Sequence, residues 1–118
     1  AAILTDEQLS HLMSVARQFD LDCLVEVHDE RELERALKAG ADIIGVNNRN
    51  LRTLDMNMTT CEKLIPQIPK GTVNVAESGI ASHKQVKKFQ ALGANAVLIG
   101  ETFMKADDIG EKIREIMG

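Results

Sequence analysis

Four polar clusters stand where an apolar run gives out. "LVEVHD" supplies Glu26 and His28, and "IIGVNNRN" supplies Asn47, Asn48, Arg49 and Asn50. "NVAESG" supplies Glu77, Ser78 and Gly79, and "VLIGET" supplies Gly100, Glu101 and Thr102. Glu26 lies between Val25 and Val27, so in a pleated strand it turns to the opposite face. A carboxyl buried there without a task is costly, which marks Glu26 as a catalytic or ligand-binding acid. Arg49 carries the forked donor set that grips carboxylate or phosphate, and Asn47 shares its strand-end parity. The plainer reading of that pair is a loop-stabilising hydrogen-bond cluster. Asn48 and Asn50 suit turn chemistry, and His28 the turn before Asp29. Ser78-Gly79 and Gly100-Glu101 present backbone N–H groups ahead of helical segments. Paired loops of this kind hold phosphate in parallel barrels, and glycine permits the close approach. Plain turn geometry is the alternative. The Glu101 carboxylate would repel a phosphate, so its amide is the expected contact.

Those clusters need a scaffold that brings strand ends together. Cys23–Val27, Ile43–Val46, Thr72–Ala76 and Ala96–Ile99 are short, rich in Val and Ile, and mostly without apolar/polar alternation. Parallel strands covered on both sides have this composition. "AAIL" at the start reads as the tail of another strand. Helical patterns lie between them. Thr5 with Gln8, Thr59 with Glu62 and Ser82 with Gln85 fit capping boxes, and Asp29 fits an N-cap. Core-facing stripes follow at helical spacing: Leu9, Leu12, Met13 and Ala16; Leu33, Ala36 and Leu37; Cys61, Leu64, Ile65 and Ile68; Val86, Phe89 and Leu92; Ile109, Ile113 and Ile116. Gly40 and Gly93 stand where helices should stop. "AGADIIGVN" and "LGANAVLIGE" form a faint internal repeat of stop, strand and glycine. The order is a leading helix and then four strand-helix units. That alternation implies a parallel sheet, either doubly wound or part of a (β/α)₈ barrel. A whole barrel takes about 250 residues, so this chain matches half of one.

Composition narrows the classes. The net charge is −4 and acids and bases are interspersed, so no basic stripe for nucleic acid is expected. No apolar run approaches the roughly 20 residues of a membrane helix, and the start does not read as a signal peptide. Hydrophobic residues make up 44% and aromatics only 3%, which predicts an aliphatic core. Cys23 and Cys61 lack partners at ligand spacing and read as free buried thiols in a cytoplasmic protein. His11, His28 and His83 are scattered, and no dinucleotide fingerprint, P-loop or nucleophile elbow occurs. No metal and no cofactor are expected.

Taken together, "LVEVHDERELERALKAGADIIGVNNRNLRTL", "VAESGI" and "AVLIGETFMKADD" resemble indole-3-glycerol phosphate synthase. This is a (β/α)₈ barrel family of tryptophan biosynthesis. The resemblance runs through essentially all 118 residues and rests on VEVH, GVNNRNL, VAESGI and LIGE-xx-M in that order. It implies half of a TIM barrel: residues 1–118 form a single C-terminal half-barrel domain, strands five to eight, with an extra leading helix. The implied enzyme is a carbon-carbon lyase, a carboxy-lyase. It converts 1-(2-carboxyphenylamino)-1-deoxyribulose 5-phosphate to indole-3-glycerol phosphate, releasing carbon dioxide and water, without a cofactor. In this resemblance Glu26 is the strand-five catalytic carboxylate, acting as base beside a lysine acid. Asn47 and Arg49 match the strand-six polar pair near the anthranilate and hydroxyls. Glu77 matches the strand-seven acid that holds substrate and catalytic groups. Ser78, Gly79, Gly100 and Glu101 match the phosphate-binding turns, with Ser78 also contacting substrate.

The family's catalytic glutamate and lysine on strand one, and its lysine on strand three, have no counterpart here. Lys84, Lys87 and Lys88 read as solvated helix surface, and no lysine is expected at a strand end. The chain alone is therefore expected to lack synthase activity. A half barrel leaves open strand edges and an uncovered inner face, so a homo-oligomer that completes the barrel is expected. Partners are then a small phosphorylated substrate, or phosphate or sulfate, and a second copy; neither nucleic acid nor membrane is expected. Two alternatives remain: a non-catalytic self-assembling half barrel that keeps a phosphate site, and another phosphate-handling barrel such as a phosphoribosyl isomerase. The latter would bring an aspartate acid/base to a strand end.

Overall fold

The computed structural model describes residues 4–50 and 56–118. The expected strand tail at the start falls largely on residues 1–3, outside the described residues. A leading helix α1 (Asp6–Gln18) precedes β1 (Leu24–Val27), α2 (Glu30–Lys38), β2 (Ile43–Asn47) and α3 (Thr59–Leu64). Then come β3 (Val73–Glu77), α4 (His83–Leu92), β4 (Ala96–Leu98), a one-turn α5 (Glu101–Met104) and α6 (Ile109–Met117).

The helix starts follow side-chain chemistry. Thr5 and Ser82 close full capping boxes with Gln8 and Gln85, and Asp29 accepts from the Glu32 N–H. Thr59 does not cap α3 as expected. Asn57 Oδ1 lies nearer the chain entry and accepts from both Thr59 N–H and Oγ–H, so Thr59 is already the first helical residue. The stripe through Ile65 and Ile68 also departs from one continuous helix. Pro66 cannot donate the next ladder bond, and Ile65–Gln67 tighten into a 3₁₀ turn. Gly40 and Gly93 stop their helices at φ +81° and +112°, a conformation glycine adopts freely.

Among the described residues the four strands form one parallel sheet in the order β1-β2-β3-β4. Every strand lies beside its predecessor. A doubly wound sheet would reverse direction and take helices on both faces. This sheet does not reverse, which fits half of a barrel.

The pleat gives the two faces different fates. Val25, Val27, Ile44, Val46 and Ala76 point outward and are buried with Leu9, Met13, Leu33, Ala36, Cys61, Leu64, Ile65 and Phe89 of the helix layer. Register places Leu24, Ile43 and Val73 in one row of the other face, Glu26, Gly45, Val75 and Ala96 in the next, and Asn47, Glu77 and Leu98 in the third. That inward face is apolar yet open: Leu24 is 42% exposed, Val73 45% and Leu98 50%. Ile109 and Ile113 are likewise exposed, against expectation, because α6 packs mainly on α4 and α5 through Ile116. Leu12 is exposed as well. Cys23 and Cys61 are free thiols, the first half-buried and preceding β1 rather than opening it.

Candidate active site

The second and third rows of the inward face bring two acids together. Glu77 closes β3, Glu26 lies on β1, and their carboxyls share a hydrogen bond. Glu77 is only 2% exposed, and its Oε2 has no hydrogen-bond partner among the described residues. Burial first, then the hydrogen bond and charge of Glu26, push the Glu77 carboxyl up to about 8. At neutral pH Glu77 thus holds its proton and donates to Glu26. Two carboxyls sharing one proton form an arrangement suited to acid/base work.

The loop after β2 is built around two asparagines. Asn47 Oδ1 accepts from Ser78 Oγ–H at 2.7 Å and from the Arg49 N–H at 2.9 Å. Asn48 is buried and joins three segments. Its Nδ2 donates to Ser78 O at 3.1 Å, and its Oδ1 accepts from Cys61 N–H at 3.1 Å. Its backbone N–H donates to Glu77 O, and its carbonyl accepts from Asn57 N–H. Asn48 is thus a buried bridge between distant segments, where the sequence suggested local turn chemistry. The Cys61 thiol donates to Val46 O, and burial raises it to about 11, so it is an inert core group.

"ESG" makes the opposite wall. Ser78 and Gly79 adopt φ +70° and +74° in succession, turning the chain back over the strand end. A Cβ on Gly79 would lie 2.5 Å from Met58 Sδ and 2.9 Å from Met56 Sδ, so a larger residue would have to displace both methionines as well as hold φ at +74°. Thr102 Oγ–H donates to Ile80 O at 2.8 Å and ties α5 to this turn.

The far corner is cationic but occupied. Glu101 bridges Arg49 Nη2 at 2.6 Å and Lys105 Nζ at 2.9 Å. The Lys105 hydrogen bond, then the charges of Lys105 and Arg49, hold the Glu101 carboxyl below its usual range. The side chain of Glu101 therefore takes part in the site, where sequence reasoning anticipated its amide alone. Lys105 was missed altogether. Its only signal was i, i+4 spacing from Glu101 on a helix of one turn.

One open cleft of about 1030 Å³ joins these parts, and Glu26, Asn47, Arg49, Glu77, Ser78, Gly79, Gly100 and Glu101 all line it. The histidines do not. His28 Nδ1 pairs with Glu32 at 3.2 Å and His83 Nδ1 with Ile116 O at 2.8 Å. Among the described residues no group of three or more His, Cys, Asp or Glu is placed to hold a metal ion. Among them, too, no helix is long and apolar enough to cross a membrane.

Comparison with known proteins identifies the family. The family model of indole-3-glycerol phosphate synthase matches residues 1–116. A synthase of that name from Acetivibrio thermocellus is 54% identical over 114 residues, covering 97% of this chain and 44% of the relative. The Caldanaerobacter subterraneus enzyme is 50% identical over 99% of this chain and 46% of its own length. One from Campylobacter jejuni is 44% identical over 99% and 45%. The chain thus spans rather less than half the length of these relatives. Among solved structures, mandelate oxidase with 3,3-difluoro-2-hydroxy-3-phenylpropionic acid superposes with a TM-score of 0.75. That match covers 94% of this chain and 36% of the oxidase at 26% identity. Matched along nearly its whole length, the chain belongs to the indole-3-glycerol phosphate synthase family.

Proposed function

We propose that residues 1–118 are the C-terminal half, strands five to eight, of an indole-3-glycerol phosphate synthase barrel. Its cleft then binds 1-(2-carboxyphenylamino)-1-deoxyribulose 5-phosphate. The observation that carries this reading is the convergence of the Glu26–Glu77 pair and two glycine turns on one cleft. In the reaction an aromatic ring carbon attacks the ketose carbonyl, carbon dioxide leaves, and loss of water completes the indole. Glu26 is the base that takes a proton as water departs, while a lysine of the other half protonates the leaving oxygen. Glu77, neutral, holds Glu26 and a substrate hydroxyl by hydrogen bonds. Asn47 and Arg49 face the anthranilate end, where the guanidinium meets its carboxylate. The turns at Ser78-Gly79 and Gly100-Glu101 take the phosphate through backbone N–H groups. This biosynthetic role places the protein in the cytoplasm.

The lysine acids of strands one and three have no counterpart in these 118 residues, and Lys105 is engaged by Glu101. Residues 1–118 alone therefore turn over no substrate. The test mixes them with the N-terminal half of the Acetivibrio thermocellus relative. Activity should appear in the mixture and fall about 100-fold or more with Glu26→Gln. Formation of indole-3-glycerol phosphate by residues 1–118 alone, or a mixture indifferent to Glu26→Gln, would refute the assignment.

The exposed inward-facing Leu24, Val73 and Leu98 favour a second reading for the isolated chain. Two copies pair through their open edges, cover that face and leave the phosphate turns in place without catalysis. Sedimentation at micromolar concentration should give a dimer or larger species; a folded monomer would rule this out.

A further inference from the structure

Gly45 occupies the middle of β2, opposite Glu26 on β1 and Val75 on β3. Glycine weakens a strand interior, so its presence there calls for a close neighbour. The neighbour is Glu77. A Cβ on Gly45 would lie 2.1 Å from Glu77 Oε2 and 2.9 Å from Glu77 Cδ, with Leu24 Cδ1 next at 3.3 Å. Glu77 pairs in register with Asn47, one row further on, so its side chain leans back across β2 to meet Glu26. Ile43 and Asn47 bracket Gly45 on the same face of the strand. The gap between them is where the carboxyl lies.

We infer that Gly45 is a positioning residue: its missing side chain forms the slot that seats the Glu77 carboxyl beside Glu26. This deepens the reading proposed above and rests on it only for the use made of the acid pair. Any side chain at position 45 drives the Glu77 carboxyl off the sheet and into the open cleft. Water then solvates it, and the proton shared with Glu26 is lost. Glu26 from β1 is the group that acts most directly on Glu77. Cys61 from α3 faces it electrostatically across the strand, and Arg49, Glu101 and Lys105 line the same cleft.

The experiment follows the Glu77 side-chain carboxyl by carbon-detected NMR titration of residues 1–118, in wild type, Gly45→Ala and Gly45→Ala/Glu77→Ala. The wild-type midpoint should lie near 8. In Gly45→Ala it should drop by roughly 2 pH units or more, toward the ordinary glutamate range. A purely structural role for Gly45 would leave that midpoint in place, and an unchanged midpoint overturns the inference. Should Gly45→Ala fail to fold, the double variant decides. It folds if Glu77 is what the new methyl meets; an unfolded double variant overturns the inference, since no Glu77 carboxyl remains to clash. Neither readout depends on turnover or phosphate. Failure of the complementation assay would strike the proposed function and leave the slot standing, and the reverse holds equally.

Discussion

Replacing Glu77 by Gln should change how the fold responds to pH. In the folded chain the Glu77 carboxyl titrates at about 8, against 4.5 for an ordinary glutamate. Below 4.5 both folded and unfolded chains hold the proton, and its contribution to stability is fully present. Between 4.5 and 8 the unfolded chain gives it up while the folded chain keeps it, so stability falls as pH rises. Above 8 the loss is complete. Each unit is worth about 1.4 kcal/mol, which sets a ceiling of about 5 kcal/mol over this window. Water entering from the open cleft relaxes the ionised state, so about 2–3 kcal/mol is expected. Gln keeps the shape and the donor but has no proton to lose. Urea unfolding at pH 5, 6.5 and 8.5 should therefore show the two proteins similar at the lowest pH. At the highest, Glu77→Gln should be the more stable by about 2–3 kcal/mol. Titrating groups remote from the Glu26–Glu77 pair cancel in the difference between the two proteins. Parallel pH profiles would refute the reasoning, because they would mean that Glu77 ionises in the fold as readily as in water.

Glu101→Gln should release Arg49 and Lys105 from their internal anion and raise affinity for inorganic phosphate about three- to tenfold by isothermal titration; equal affinities would show that Glu101 does not compete for that corner. Asn48→Ala leaves Ser78 O and Cys61 N–H without their buried partner and should cost about 2–4 kcal/mol in urea unfolding. A loss under about 0.5 kcal/mol, the scale of an ordinary surface change, would mean that the loops hold each other without Asn48.

Much of the fold was legible because its signals are local. Short Val- and Ile-rich runs, period-3.6 stripes, the caps at Thr5, Asp29 and Ser82, and the stops at Gly40 and Gly93 each act within a few residues. Glu26 stood out because an acid between two valines must face away from their core. What stayed hidden depends on distant partners or very short elements. The lean of Glu77 over Gly45 requires β2 and β3 in register, which no single stretch encodes. Lys105 reaches the cleft from the C-terminal cap of a helix too short to show a period. Thr59 lost its capping role because its own N–H and Oγ–H both donate to Asn57 Oδ1 while the Cys61 N–H goes to Asn48 Oδ1, a set of partners that depends on the path of the loop. The stripe of α6 was read as facing a core, but its main neighbours are other helices rather than strands.

Because each strand finds its ladder partner in the very next unit, the sheet needs no threading of remote segments. Assembly can proceed rung by rung from either flank, with loop closures kept short and folding correspondingly quick. Growth or loss of one unit then disturbs a single seam and leaves the remaining rungs in register, so the architecture behaves as a stack that can be extended or cut between repeats.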